Sequence, residues 1–157
     1  MKEMEKTLII LKPDCVQRGL CGIVLQRFEQ RGFSICAMKM EKLSNAILGE
    51  HYSHLKAKPF FPSLVRFMSS SPVVLAVIEG KEAVEIVRRM CGATNAANAE
   101  NGTIRGDLAL STQYNVIHAS DSKESAEKEI KRFFRQEEIH SYKRALEGLT
   151  YSEDELF

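Results

Sequence analysis

The sequence predicts an α+β protein in which one sheet is covered by helices on at least one face. Apolar residues alternate between strand-like runs and helical spacing, which gives two strand–helix–strand halves with a helical pair inserted between them. The 157 residues, 44% of them hydrophobic, suit one domain, so we assign residues 1–157 to a single domain with an acidic tail at 152–157. A βαββαβ arrangement uses every element, although the pattern leaves the strand order open.

The first half begins with a strand at residues 7–12, which Pro13 ends. Apolar residues then recur at helical spacing until Gly32, which predicts a helix that stops there. Residues 33–40 carry apolar side chains on both alternating faces, so we expect a strand covered on both sides.

The inserted pair begins at Ser44, which can cap a helix whose apolar positions run from Ile47 to Leu55. Prolines between residues 58 and 72 predict a turn and then a short helix that starts near Pro62. The β-branched run at residues 73–78 predicts a central strand. A helix should follow it and end at Gly92, with its inner face formed by Ala83, Val84, Val87 and Met90.

Residues 92–112 form a long stretch with no strong periodicity, and compact domains rarely keep such a connection unless it serves a site. Residues 115–120 predict a last strand. Asp121 and Glu124 have the spacing of a capping box for the final helix. The inner face of that helix should hold Ala126, Ile130, Phe133 and Phe134.

The charge pattern excludes several function classes. A net charge of +1 creates no field that would gather nucleic acid or an anionic membrane, so strong nucleic-acid affinity is not expected.

The apolar run at residues 8–11 is too short for a signal peptide or a membrane span, and we expect a cytoplasmic protein. The four cysteines lack CxxC pairing and should be small buried hydrophobes: Cys15, Cys21, Cys36 and Cys91.

The common nucleotide-binding and hydrolase motifs are absent: the sequence has no P-loop, no GxGxxG after a strand, no GxSxG and no HExxH. Phosphate-handling side chains do lie near predicted strand ends, helix ends and the long loop. Taken singly, each is usually a solvated surface residue, but Lys12, Arg88 and Arg105 could converge near His118 if the strands share one sheet. The full set is Lys12, Arg88, Arg89, Thr94, Thr103, Arg105 and Asn115.

The histidines need separate treatment, because an imidazole can be a nucleophile, a base, a metal ligand or only a polar residue on a strand. His118 sits in the predicted last strand and is followed by small residues and an acid. His51 and His54 are three residues apart on a predicted helix, but two ligands do not make a zinc site. His140 is expected at the surface.

Several segments together resemble the nucleoside diphosphate kinase family over residues 5–151. They are TLIILKPDCVQRGL, EHYSHLKAKPFFPSLVRFMSSSPVV, GATN, NGTIRGD and NVIHASDSKESAEKEI, and the most specific is NxxHxSD. The resemblance implies a ferredoxin-like βαββαβ sandwich with an inserted helical hairpin. It also implies ping-pong transfer of a γ-phosphate from a nucleoside triphosphate to a diphosphate, through a phosphohistidine at His118 and with broad tolerance of bases.

The resemblance also implies a role for each matching residue. Lys12, Arg88, Thr94 and Arg105 would hold phosphates and Asn115 the sugar. The base would stack on Phe60 with Leu64 beside it, Tyr52 would lie close to the histidine, and Glu129 would orient His118, together with Ser120. The family further implies Mg²⁺ carried by the nucleotide phosphates with no ligand from the protein, and a homo-oligomer that is a hexamer or a tetramer built from dimers.

The chain departs from the family pattern at five positions, none with an implied catalytic role: Cys15, Ala96, Leu108, Thr112 and Gln113. The family usually has Pro at the position of Ala96, so loop rigidity and assembly strength are in question. Two other functions stay open from the sequence. One is a non-catalytic nucleotide-binding or nucleic-acid-binding module on the same fold. The other is a hydrolase that delivers the phosphoryl group of a phosphohistidine to water.

Overall fold

The computed structural model describes residues 4–155, and its centre is a four-stranded antiparallel sheet. Its strands are β1 (Glu5–Leu11), β2 (Ser34–Glu41), β3 (Val73–Gly80) and β4 (Ile117–Ala119), in the order β2-β3-β1-β4. β3 pairs with both β1 and β2, and β1 also pairs with β4. The expected βαββαβ arrangement is confirmed.

The helices are α1 (Pro13–Gln17), α2 (Cys21–Arg31), α3 (Asn45–His51), α4 (Phe61–Met68), α5 (Ala83–Cys91), α6 (Ile104–Leu108) and α7 (Lys123–Phe133). Short 3₁₀ helices span Ser53–Leu55, Ala96–Asn98, Gln136–Glu138 and Glu147–Leu149. The pair formed by α3 and α4 lies between β2 and β3 in the chain, as expected for the inserted hairpin. α6 gives local structure to the stretch at residues 92–112.

Both faces of the sheet are covered, because side chains of β1 alternate between two apolar clusters. Ile9 and Leu11 pack with residues of α2 and α5 on one face. Leu8 and Ile10 pack with residues of α3, α4 and α7 on the other face. The sheet is therefore the middle layer.

Several boundaries confirm their sequence signals. Gly32 ends α2 with a left-handed φ of 107°, a conformation that glycine adopts at little cost. The hydroxyl of Ser44 accepts a hydrogen bond from the amide of Ile47 and caps α3, and α4 begins one residue before Pro62. The inner-face residues predicted for α7 are buried.

Other predictions were wrong in detail. Strand β2 is not covered on both sides, since Met38 and Met40 are more than half exposed on this edge strand. Asp121 does not cap α7, because the hydroxyl of Ser122 accepts the hydrogen bond from the amide of Ser125. The last strand is shorter than residues 115–120, since a tight turn at Val116 precedes it.

The chain ends add two observations. Lys81 forms an ion pair with Glu155 in the acidic tail, whose last two residues lie outside the described part. Among residues 4–155, no helix is both long and apolar enough to cross a bilayer. The cytoplasmic location stays a prediction.

The register of β1 and β4 brings the end of one strand beside the start of the other. Leu11 lies opposite Ile117, and Ile10 lies opposite His118. The amide of Lys12 then donates to the carbonyl of Val116 at 2.9 Å. This register places the first cation next to the segment that carries the histidine.

Candidate active site

The nucleophile cluster consists of His118, Ser120, Glu129, His51 and Tyr52, and it joins β4 to α7 and α3. Nε2 of His118 lies 3.1 Å from Oε2 of Glu129. The hydroxyl of Ser120 donates to the same carboxylate oxygen at 2.5 Å. Burial alone would raise the pKa of Glu129, but the hydrogen bonds from His118 and Ser120 hold it below its usual value. The carboxylate is therefore charged near neutral pH.

This pairing determines where the proton of the imidazole lies. A charged carboxylate can only accept a hydrogen bond, so Nε2 of His118 must carry the hydrogen. In the neutral ring, Nδ1 then holds the lone pair, and it makes no hydrogen bond within residues 4–155. The histidine is about one-fifth exposed, enough for a ligand to reach it. Glu129 thus holds the neutral ring in the tautomer whose lone pair lies on Nδ1.

His51 and Tyr52 form the buried wall of this cluster. The ring of His51 lies edge-on to that of His118, with centroids 4.7 Å apart, and also contacts Tyr52. Burial lowers the pKa of His51 to about 3, so the ring is neutral. Burial also raises the pKa of Tyr52, whose hydroxyl has no partner within the described residues. Tyr52 and His118 thus both contact the ring of His51.

The phosphate cluster consists of Lys12, Arg88, Thr94, Arg105 and Asn115. Nζ of Lys12 donates to Oδ1 of Asn115 at 2.7 Å, and Nδ2 of Asn115 donates to the carbonyl of Thr94 at 2.8 Å. Burial, together with the charge of Arg105, lowers the pKa of Lys12 to about 8 against the opposing effect of Asp14. The structure therefore brings Lys12, Asn115 and Thr94 together.

The two arginines bind carbonyl oxygens of the segment around β4. Arg105 is buried and donates to the carbonyls of Ile117 at 2.6 Å, Gly92 at 2.8 Å and Asn115 at 3.3 Å. Arg88 is exposed and donates to the carbonyl of Ala119 at 3.2 Å. A guanidinium has five N–H donors, so both arginines keep donors for a further anion. Lys12, Arg88 and Arg105 therefore all contact the segment from Asn115 to Ala119, which contains His118.

The residues expected at the nucleobase differ in exposure. The ring of Phe60 is 49% exposed just before α4, so one face can take a flat ligand. Leu64 is buried and packs into the apolar core. Phe60 therefore offers the accessible surface, and Leu64 supports the helix beside it.

Comparisons with known proteins agree with this geometry. A family model described as nucleoside diphosphate kinase matches residues 5–139. The chain belongs to the nucleoside diphosphate kinase family.

Relatives named nucleoside diphosphate kinase cover nearly the whole chain. The protein from Pyrococcus abyssi is 54% identical over 91% of this chain and 92% of its own length. The protein from Methanothermobacter thermautotrophicus is 51% identical over 96% of this chain and 100% of its own length.

Solved structures give the same family. A halophilic nucleoside diphosphate kinase from Halobacterium salinarum in complex with CDP has a TM-score of 0.93 and 38% identity, over 96% of this chain and 100% of its own. A transition-state mimic of the Borrelia burgdorferi enzyme with bound vanadate and ADP has a TM-score of 0.88 and 40% identity, over 93% of this chain and 96% of its own. The ferredoxin-like fold of the family is thus confirmed.

Sequence reasoning missed two polar residues that contact these clusters or the segment between them. Nη1 of Arg132 lies 3.0 Å from Nδ1 of His51, and Nε of Arg132 donates to Glu50 at 3.1 Å. Arg132 lies three residues after Glu129 on α7, a spacing that places both on one side of the helix. Asp14 was also missed; its carboxylate accepts a hydrogen bond from the amide of Val116.

His51, His118 and Glu129 also bring one ligand atom each within 4.8 Å of one another. The positive charge of Arg132 disfavours a metal cation between these three side chains. Its guanidinium can only donate, so Nδ1 of His51 accepts and Nε2 carries the hydrogen of the neutral ring. A metal ion would have to displace that proton beside a fixed positive charge. His51 and Glu129 are better explained as a support for His118.

Proposed function

We propose that this chain transfers the γ-phosphoryl group of a nucleoside triphosphate to a nucleoside diphosphate, by a ping-pong reaction through phosphorylated His118. The observation that carries the proposal is the pairing of Nε2 of His118 with Glu129, which leaves a lone pair on Nδ1 in a member of this family.

The first half-reaction follows from that geometry. Nδ1 of His118 attacks the γ-phosphorus and forms the N–P bond, while the bond from phosphorus to the β–γ bridging oxygen breaks. The positive charge that develops on the ring is stabilised through Nε2–H by Glu129, which Ser120 holds in place. In the second half-reaction, a terminal oxygen of the acceptor diphosphate attacks the same phosphorus, and Nδ1 recovers its lone pair.

The phosphate cluster supplies the charge that this transfer needs. Lys12, Arg88 and Arg105 would bind the phosphates and stabilise the charge on the departing diphosphate, with Thr94 as a neutral donor. Asn115 would bind the sugar hydroxyls and Phe60 would stack on the base. This cluster has cations and an amide but no carboxylate that could bind Mg²⁺. Mg²⁺ would therefore enter with the nucleotide, held by phosphate oxygens and water, and would neutralise part of the phosphate charge.

One assay separates this function from the two alternatives. Purified protein receives ATP with and without GDP, and ADP, GTP and inorganic phosphate are measured. Transfer predicts GTP in step with ADP, and at most one equivalent of ADP per subunit without GDP. Continuous release of inorganic phosphate would identify the hydrolase. Nucleotide binding with no phosphorylated protein would identify the non-catalytic module.

We also propose that the chain forms a homo-oligomer, either a hexamer or a tetramer built from dimers. The supporting observation is the exposure of Met38 and Met40 on edge strand β2, because an exposed apolar edge strand can pair with another chain. Light scattering after size-exclusion chromatography counts the subunits. Replacing both methionines by lysine should lower the count, and an unchanged assembly would place the interface elsewhere.

A further inference from the structure

The backbone just before His118 is strained at Val116. Its φ is +74°, in a region that β-branched residues rarely adopt, and the side chain is fully buried. The amide of Ile117 donates to the carbonyl of Asn115 at 2.8 Å, which closes a three-residue turn around Val116. Such strain persists only where neighbouring contacts hold it.

The strained turn supports both clusters of the site. Its carbonyls at Asn115 and Ile117 accept hydrogen bonds from Arg105, and the carbonyl of Val116 accepts one from the amide of Lys12. The strand that carries His118 starts at Ile117. A change in the turn would therefore move the nucleophile and the cations relative to each other.

One side chain is placed to hold this turn. Oδ2 of Asp14, in the first turn of α1, accepts a hydrogen bond from the amide of Val116 at 3.0 Å, across 102 residues of sequence. Its second oxygen, Oδ1, is buried with no partner within residues 4–155. The only side-chain hydrogen bond that Asp14 makes in this part of the chain is thus the one to the strained residue.

We propose that Asp14 is a positioning residue, which holds the turn at Val116 in its strained conformation and so fixes His118 relative to Lys12 and Arg105. Lys12 lies two residues before Asp14, so one short segment supplies a cation and also holds the turn that leads to the nucleophile. The proposal rests on the phosphotransfer proposed above. Its main rival is that Asp14 acts only through its charge, as a neighbour of Lys12.

Two substitutions of Asp14 separate the hydrogen bond from the charge. Asp14→Ala removes both, and we expect kcat to fall about 10²-fold while nucleotide Kd changes little, because a small misplacement of reacting groups carries that cost. Asp14→Asn keeps an oxygen that accepts from Val116 and should stay within about fivefold of wild-type kcat. If Asp14→Asn is as impaired as Asp14→Ala, charge is the cause and the proposal fails.

A rescue tests the strain directly. Glycine adopts positive φ without steric cost, so Val116→Gly in the Asp14→Ala background should restore kcat by about tenfold. Val116→Ala removes most of the same side chain but keeps the restriction on φ, and should restore nothing. Equal kcat in the two double variants would overturn the proposal, and so would failure of the glycine variant to fold.

Two further measurements complete the design. Asp107→Ala is the control, since that carboxylate also accepts from a backbone amide, that of Gly102, but on the exposed side of α6, where it pairs with Arg27; its kcat should be unchanged. Hydrogen exchange at the amide of Val116 requires no activity. It should be faster in Asp14→Ala and slow in Asp14→Asn, whereas equal exchange would contradict the proposal even in a protein that transfers no phosphate.

Discussion

The nucleophile cluster and the phosphate cluster share the segment at residues 115–120 but are held by different kinds of contact. In the nucleophile cluster, side chains bond to side chains, as in the contacts of Glu129 with His118 and Ser120. In the phosphate cluster, the arginines donate to backbone carbonyls, and their remaining N–H groups make no hydrogen bond within residues 4–155. The nucleophile cluster fixes the protonation state of Nδ1 in His118, whereas the phosphate cluster presents positive charge.

Their electrostatics differ in the same way. Burial keeps His51 neutral with a pKa of about 3, so the side chains around His118 supply one negative carboxylate and a neutral wall. In the phosphate cluster, burial lowers the pKa of Lys12 to about 8, and crowding by the nearby charge of Arg105 contributes to the same shift. A polyphosphate would relieve that crowding. We propose that the first cluster controls bond formation and the second controls binding and charge stabilisation.

The substitution His118→Ala should distinguish the functions of the two clusters most clearly. It should abolish phosphoryl transfer and leave nucleotide affinity nearly intact, because the proposed base, sugar and phosphate contacts lie on other residues. Transfer assays and calorimetric titration with ADP measure the two effects. Wild-type protein incubated briefly with γ-labelled ATP should carry an acid-labile, alkali-stable label on His118, and the exposed control His140→Ala should label normally. A label on serine would contradict the mechanism.

The next largest effect belongs to the phosphate cluster. Lys12→Ala or Arg105→Ala should lower kcat/KM roughly 10²–10³-fold, the cost of one lost electrostatic stabiliser. Arg105→Ala should also lower Tm, since three carbonyls lose their donor, whereas the exposed control Arg89→Ala should change neither quantity. If Arg105→Ala lowers Tm but leaves kcat/KM unchanged, Arg105 only braces the segment.

The pKa of Lys12 predicts a pH dependence. Because the folded pKa is lowered to about 8, the lysine loses its charge as pH rises through that value, and phosphate binding weakens. We expect kcat/KM, which reports the free enzyme, to fall up to about tenfold per pH unit above pH 8. Lys12→Arg stays charged, so its profile should lack this fall. An identical fall in both proteins would assign the titration to another group.

We expect the enzyme to discriminate only weakly between nucleobases, because the base would lie outside both clusters. Phe60 offers a half-exposed ring, and stacking on an aromatic contributes about 1–3 kcal/mol with little dependence on the base. Values of kcat/KM for ADP, GDP, CDP and UDP should agree within about tenfold, with purines first. The 2′-deoxy forms should react somewhat more slowly, since Lys12 and Asn115 can bond ribose hydroxyls. A preference above about 10³-fold would require a base-edge hydrogen bond.

Periodicity and local signals predicted the layers of this fold because they depend on neighbours in sequence. Gly32, Ser44 and Pro62 mark helix ends for local reasons, and each is confirmed. The exposure of Met38 was not predicted, since an edge strand and a central strand can share one pattern and strand order is a long-range property.

The site was predicted unevenly for the same reason. Its residue types came from motifs, and the resemblance implied Glu129 where periodicity alone could not separate it from Glu127. The structure separates the two, since Glu129 is half-buried and Glu127 is exposed. Asp14, His51 and Arg132 act through contacts between distant segments, and no local pattern reveals them.

The smallest predicted effect concerns the long loop that carries Thr94 and Arg105. Ala96 begins the 3₁₀ helix Ala96–Asn98, and the extended Asn95 before it has the backbone that precedes a proline. The amide of Ala96 makes no hydrogen bond within residues 4–155, so a proline there loses no contact. Ala96→Pro should raise the free energy of unfolding by about 0.4–1 kcal/mol, mainly by restricting the unfolded chain.

The neighbouring residue gives a matched control for this substitution. The amide of Ala97 donates to Oδ1 of Asn95 at 3.2 Å, and Ala97→Pro would remove that bond and the cap it provides. Urea denaturation of the two variants should therefore move the midpoint in opposite directions, upward for Ala96→Pro and downward for Ala97→Pro. If Ala96→Pro also lowers the midpoint, its ring does not fit the buried position of Ala96. The phosphate cluster would then depend on a loop whose packing is specific to alanine.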